Sequence, residues 1–123
     1  MKFYPVASEL AAEVVYAGYK EGREIGKTRL GGQCLYFRDK LRVYYIPYSD
    51  ITRVFRRVLL IPATMCCGKG DFEVENIVIC TEKGEVAQIQ LPGERAGKIA
   101  LEELAKRAPN AEVGKPKDSV SEN

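Results

Sequence analysis

Histidine is absent from this 123-residue chain. Its absence removes the side chain whose ordinary pKa lies nearest neutrality, so acid–base catalysis would fall to a carboxylate, lysine or tyrosine with an unusual pKa. It also excludes the mixed cysteine–histidine zinc sites. The acidic residues are scattered over expected strand ends and helix faces, and no carboxylate pair, nucleophile elbow or glycine-rich dinucleotide fingerprint occurs. Gly22-Arg23-Glu24-Ile25-Gly26-Lys27-Thr28 approaches a phosphate-binding P-loop. Only three residues separate Gly22 from Gly26 where that motif needs four, and Arg29-Leu30-Gly31-Gly32 leads into a hairpin, not a helix. The expectation is a non-catalytic protein without cofactor or metal.

Long apolar runs are missing too. A spanning helix needs roughly 18–20 uninterrupted apolar residues, and Val58 to Ala63 falls far short. The opening segment carries Glu9 and Glu13 and lacks the charged-then-apolar order of an export signal, so it is expected to belong to the mature chain. Four cysteines without such a signal are expected to be reduced thiols in a cytoplasmic protein. Cys66 and Cys67 are adjacent, beside Lys69 and two glycines, whereas zinc ligands usually come as C-x₂₋₄-C. Cys34 and Cys80 read as small core residues and the adjacent pair as loop packing.

What is present is an ordinary globular composition, 46% hydrophobic and 29% charged, which argues against wholesale disorder. The length suits one core and no second domain. The net charge of +2 hides an asymmetry: residues 23–57 hold nine Lys or Arg against three acids, and residues 71–123 hold seven against eleven. The basic block can present one positive sheet face or a solvated exterior with scattered partners.

From Ser8 to Lys20 apolar residues recur near helical spacing, with Ser8 as a cap and Gly22 as a stop, although Val14-Val15-Tyr16 also suits a strand. Close punctuation by Gly, Pro and Asp then predicts an antiparallel meander of about six strands. These are Ile25 to Leu30, Gln33 to Arg38, Leu41 to Ile46, one near Ile51 to Ile61, Asn76 to Thr81 and Glu85 to Leu91. Pro47 breaks the ladder and Tyr48-Ser49-Asp50 makes a corner. Within Ile51 to Ile61 apolar residues occupy both parities, which predicts a bulge or strong bend. Pro62 to Glu73 reads as a loop. In the last strand Ala87, Ile89 and Leu91 point inward, opposite Gln88 and Gln90. From Glu94 to Arg107 a stripe of Gly97, Ala100, Leu101, Leu104 and Ala105, extended by Ala108, predicts an amphipathic helix stopped by Pro109. Beyond Gly114 the polar composition predicts a disordered tail.

The stretch Leu35 to Ile51, a hairpin strand running into Ile46-Pro47-Tyr48-Ser49-Asp50-Ile51, resembles the corner of bacterial pleckstrin-homology-like and GRAM-like domains. Residues 76–108 resemble the two strands and helix that finish that fold. The wider chain, with Cys66-Cys67-Gly68, is similar to a set of small bacterial proteins from which no activity carries over. The resemblance implies an α+β, mostly β fold. It would be an antiparallel barrel or half-barrel closed by a C-terminal helix, with residues 1–22 as a helical extension, 23–110 as the domain and 111–123 as the tail. Lipid-binding members use a basic cluster around the first hairpin, which Lys27 and Arg29 match in part before Gly31-Gly32.

The expected role is an interaction module that binds a protein or peptide. It would use a sheet edge, the groove beside the helix or a basic face made of Arg38, Lys40, Arg42, Tyr44, Tyr48, Arg53, Arg56 and Arg57. Self-association as a homodimer is the nearest variant, since exposed edges pair readily. The alternative is peripheral binding of anionic lipid or phosphate through Lys27, Arg29, Lys40 and Arg42. Aromatic rings among these cations also suit a nucleic-acid platform, but alternation sends about half of the rings inward and the net charge is modest, so nucleic acid is disfavoured.

Overall fold

Short runs of β-branched and aromatic residues between turn residues become strands, and the two longer runs rich in Ala, Glu and Lys become helices. The computed structural model describes residues 2–62 and 72–114. Along the chain these form β1 (Phe3–Pro5), α1 (Ala12–Glu21), β2 (Arg23–Ile25), β3 (Thr28–Leu30), β4 (Cys34–Asp39) and β5 (Arg42–Pro47). There follow a 3₁₀ turn (Tyr48–Asp50), β6 (Arg53–Ile61), β7 (Phe72–Thr81), β8 (Gly84–Leu91), α2 (Glu94–Arg107) and β9 (Glu112–Val113). The protein is α+β with more strand than helix.

Two sheets result, ordered β1-β5-β4-β3-β2 and β8-β7-β6-β9. The outermost pairs β1·β5 and β6·β9 are parallel and the rest antiparallel. Among the described residues there is no closed barrel. Among the described residues β5 and β6 do not pair, because Pro47 and the 3₁₀ turn redirect the chain between them.

Alternation then sorts the side chains. Leu30, Leu35 and Ile46 of the first sheet meet Val54, Ile77, Ile79, Ile89 and Leu91 of the second, and Ala100, Leu104 and Ala108 of α2 join the same cluster. The opposite face of the first sheet buries Cys34, Tyr36, Val43 and Tyr45 against Val15 of α1. There the Tyr36 hydroxyl donates to the Val15 carbonyl, and the Tyr19 and Phe3 rings lie 5.3 and 5.7 Å from the Tyr36 ring. Burial pushes the Cys34 thiol up, away from the reactive thiolate. Phe55, Val78 and Cys80 form a small cluster of their own.

Several expectations change. The first expected strand splits into β2 and β3 around Gly26, whose φ of +59° allows the tight turn and whose Cα faces Pro92 and Leu91 too closely for a side chain. Ser8 does not cap α1. Its amide and hydroxyl donate to the Asp50 carboxylate at 2.9 and 3.0 Å, and α1 starts four residues later. Residues 112–113 of the expected tail pair with β6, and residues 3–5 of the expected helical extension pair with β5. Of the bulge or strong bend expected in Ile51 to Ile61, the bulge is not there: β6 keeps unbroken register with β7, and the irregularity falls at Ile79/Cys80 between β7 and β8. Phe72 and Glu73, read as loop, begin β7. The Cys66-Cys67-Gly68 segment with Lys69, and the tail from 115 onward, lie outside the described residues.

Candidate functional site

The expected basic face is divided by the fold. Arg53, Arg56 and Arg57 stand on β6 of the second sheet, while Arg38, Lys40, Arg42 and Tyr44 belong to the β4–β5 hairpin of the first. Each β6 arginine faces a carboxylate. Arg53 pairs with Glu112 and donates to the Gly114 carbonyl at 2.8 Å. Arg57 donates to both Glu85 oxygens at 3.1 and 2.6 Å and to Gln88 at 2.8 Å, with its guanidinium over the Phe55 ring. These bonds hold the Glu85 carboxyl below its usual range. Its contribution to stability is therefore full above the unfolded carboxylate range and fades as pH falls through the lower folded value. Solvent screening of the exposed pair keeps that contribution under about 1 kcal/mol.

Arg56 is the most enclosed of the three connections. Its Nε and Nη2 donate to Glu75 at 2.5 and 3.0 Å, and Glu94 lies 3.6 Å away. The hydrogen bonds to Glu75 push the guanidinium pKa up further. Glu75 is buried because the first turns of α2 cross over it: a Cβ at Gly97 would overlap the Glu75 carboxylate. Gly97→Ala normally gains about 1 kcal/mol in a helix interior. Here the carboxylate is held by Arg56 and cannot swing clear, so overpacking prevails and thermal unfolding should show a net loss of about 1–2 kcal/mol. A gain would show that the contact is slack.

Tyr48 is buried, and its hydroxyl donates at 2.7 Å to the Gly31 carbonyl, which also accepts from Arg107. It is a packing residue joining the corner, the β3–β4 turn and α2. Tyr44 is half-buried, stacked on Phe37 at 5.5 Å. Of the expected anion set, Lys27 and Arg29 come together not with Lys40 and Arg42 but with Arg38, around a cavity of about 180 Å³ that Tyr19 and Tyr36 also line. Arg29 there is engaged by the Tyr19 ring, the Gly22 carbonyl and Glu24. Lys40 and Arg42 flank Leu41 at the β4–β5 turn, where Lys40 takes a left-handed φ of +59° and Leu41 is 100% exposed.

A different surface is more pronounced. β6 and β7 pair from Arg53↔Cys80 to Ile61↔Phe72, but β8 accompanies β7 only as far as Glu75, and β9 reaches only Arg53 and Val54. The ribbon that starts at Val58 loses β8 after its first pair, Val58↔Glu75, and from there has two strands with both outer edges open among the described residues. It carries Val58 (44% exposed), Leu59 (38%), Leu60 (64%) and Phe72 (43%). The Val54 carbonyl accepts from the Gly114 amide of the neighbouring β9 segment, so even-numbered peptide groups of β6 aim away from β7. By alternation the N–H and C=O groups of Arg56, Val58 and Leu60 point out of the sheet. Apolar residues on both parities of Val58 to Ile61 were the signal for this ribbon. The sequence alone reads them as a bulge or strong bend, because alternation is diagnostic only where one face is buried.

Among the described residues, no group of three or more acidic or cysteine side chains is placed to hold a metal, and no helix is long and apolar enough to cross a membrane. Comparison with protein-family models, curated proteins and solved structures finds no match for this chain.

Proposed function

We propose that the chain is a non-catalytic interaction module of pleckstrin-homology-like type that binds an extended protein segment as an added strand on the outer edge of β6. The observation that carries the reading is the open apolar ribbon beyond Arg57. Edge groups without a partner among the described residues supply main-chain hydrogen bonds, and the apolar side chains on both faces supply burial. Leu60 alone, if fully covered, adds on the order of 1–2 kcal/mol. The fold assignment draws support from the two mostly antiparallel sheets followed by a helix whose Ala100, Leu104 and Ala108 enter their shared core.

Panning a phage-displayed library of unstructured peptides tests this. The expected selection is for alternating apolar sequences that bind the wild type and lose binding to Val58→Pro. Proline at an outward-facing edge position removes a donor without breaking the β6–β7 ladder. Failure to enrich any sequence, or equal binding to Val58→Pro, overturns the proposal.

A second reading rests on Leu41, an exposed apolar tip between Lys40 and Arg42 with Arg38 nearby, which suits an anionic membrane surface. Co-sedimentation with phosphatidylserine vesicles should then weaken steeply with salt and in Leu41→Asp. Binding that ignores both, or no binding, removes this reading.

A further inference from the structure

We infer that the strand received by β6 is β6 of a second copy of this chain, antiparallel, with Val58 on the two-fold axis. The inference rests on the strand-addition reading above and names its occupant. It follows from the hydrogen-bond phase of the edge and from the order of residues along it.

Outward groups belong to even-numbered residues, so a two-fold pairing must match even with even. That leaves few registers. An axis at Arg56 or Arg57 sets an arginine against its own copy, and like charges directly opposite destabilise a sheet. An axis at Leu59 or Leu60 brings Pro62 into the pairing, where it has no N–H to give. An axis at Val58 avoids both faults. Val58 then meets the partner's Val58, and Arg56 meets the partner's Leu60, with up to about six backbone hydrogen bonds across the seam.

The side chains agree on both faces. On one, Val58 and Leu60 lie beside the partner's Val58 and Arg56. On the other, Leu59 and Ile61 lie beside the partner's Arg57 and Phe55. Each guanidinium keeps its own carboxylate, Arg56 with Glu75 and Glu94, Arg57 with Glu85, so the apposed surface is nearly neutral and the aliphatic stems of arginine can cover leucine. The second sheets become continuous across the axis. One strand edge and a few half-exposed side chains fall short of the roughly 800 Å² per partner of a stable complex, so the dimer should form reversibly with concentration.

Sedimentation velocity on the full chain tests this without any substitution: the average mass should rise from monomer toward dimer between about 1 and 500 µM, the range of weak interfaces. Val58→Pro should stay monomeric at the top of that range while melting as a folded protein. In a Cys66→Ser/Cys67→Ser background, Val58→Cys should cross-link to itself, because hydrogen-bonded antiparallel partners sit about 5.5 Å apart at Cα, within disulfide reach. Leu60→Cys should not, because its two copies lie roughly 13 Å or more apart along the strands. A monomer at every concentration, or equal cross-linking from both positions, overturns the inference. If the chain stays monomeric yet binds panned peptides through Val58, strand addition stands and only the second copy is wrong. If peptide binding fails as well, both fall.

Discussion

Replacing Arg56 with methionine is expected to destabilise the fold by about 3–5 kcal/mol, because it leaves the Glu75 carboxylate buried beneath α2 without its counter-ion. For a chain of this length that corresponds to a fall in Tm of roughly 10–25 °C by calorimetry or circular dichroism. Glu75→Met should cost less, since Arg56 retains Glu94 and is partly exposed. The double variant Arg56→Met/Glu75→Met should recover most of the loss, as an apolar pair of similar size often replaces a buried ion pair without penalty. A double variant as unstable as Arg56→Met alone would mean that the pair is needed for something other than mutual neutralisation. Arg56 thus supports the scaffold of the ribbon through its pairing with Glu75.

Leu104→Ala is expected to cost about 3 kcal/mol. Leu104 is 1% exposed and sits in the cluster that contains side chains of both sheets, so truncation opens a cavity that neither sheet can close alone. Leu101, a member of the expected stripe that is only half-buried against the same core, should lose less than half as much on the same change. Equal losses at the two positions would show that α2 is not seated by the face described here. Chemical denaturation of both variants, with the slope checked for constancy, makes the comparison.

What could be read from the sequence depended on how many residues an element offers. α2, at fourteen residues, shows several helical periods and matches its expected limits. β4, β5 and β8 hold six to eight residues between clear turns, and their centres were legible with limits shifted by about one residue. β1, β2, β3 and β9 have only two or three residues each, less than the alternation needs to declare itself. Their place is set by tertiary partners, as with Phe3 against Val43 or Glu112 against Arg53. The pairing of Arg56 with Glu75 and of Arg57 with Glu85 depends on cross-strand register, which charge counts cannot supply. The basic block was visible in composition, yet its availability was not: Arg53, Arg56 and Arg57 are neutralised, whereas Lys40 and Arg42 remain at an exposed turn beside Leu41. The ribbon itself was not legible, for a physical reason. A bulge and an uncovered two-stranded segment both break alternation, and only the continuous register of β6 with β7 distinguishes them.

Hydrogen exchange resolved by residue, on a dilute sample of the full chain, reaches the edge of β6 most directly. The Val58 and Leu60 amides should exchange quickly while those of Arg57 and Leu59, bonded to β7, are slowed, and raising the concentration or adding a selected peptide should slow the first pair. Uniform protection of all four amides in dilute solution, or fast exchange at Val58 and Leu60 that no ligand or concentration changes, would contradict the account.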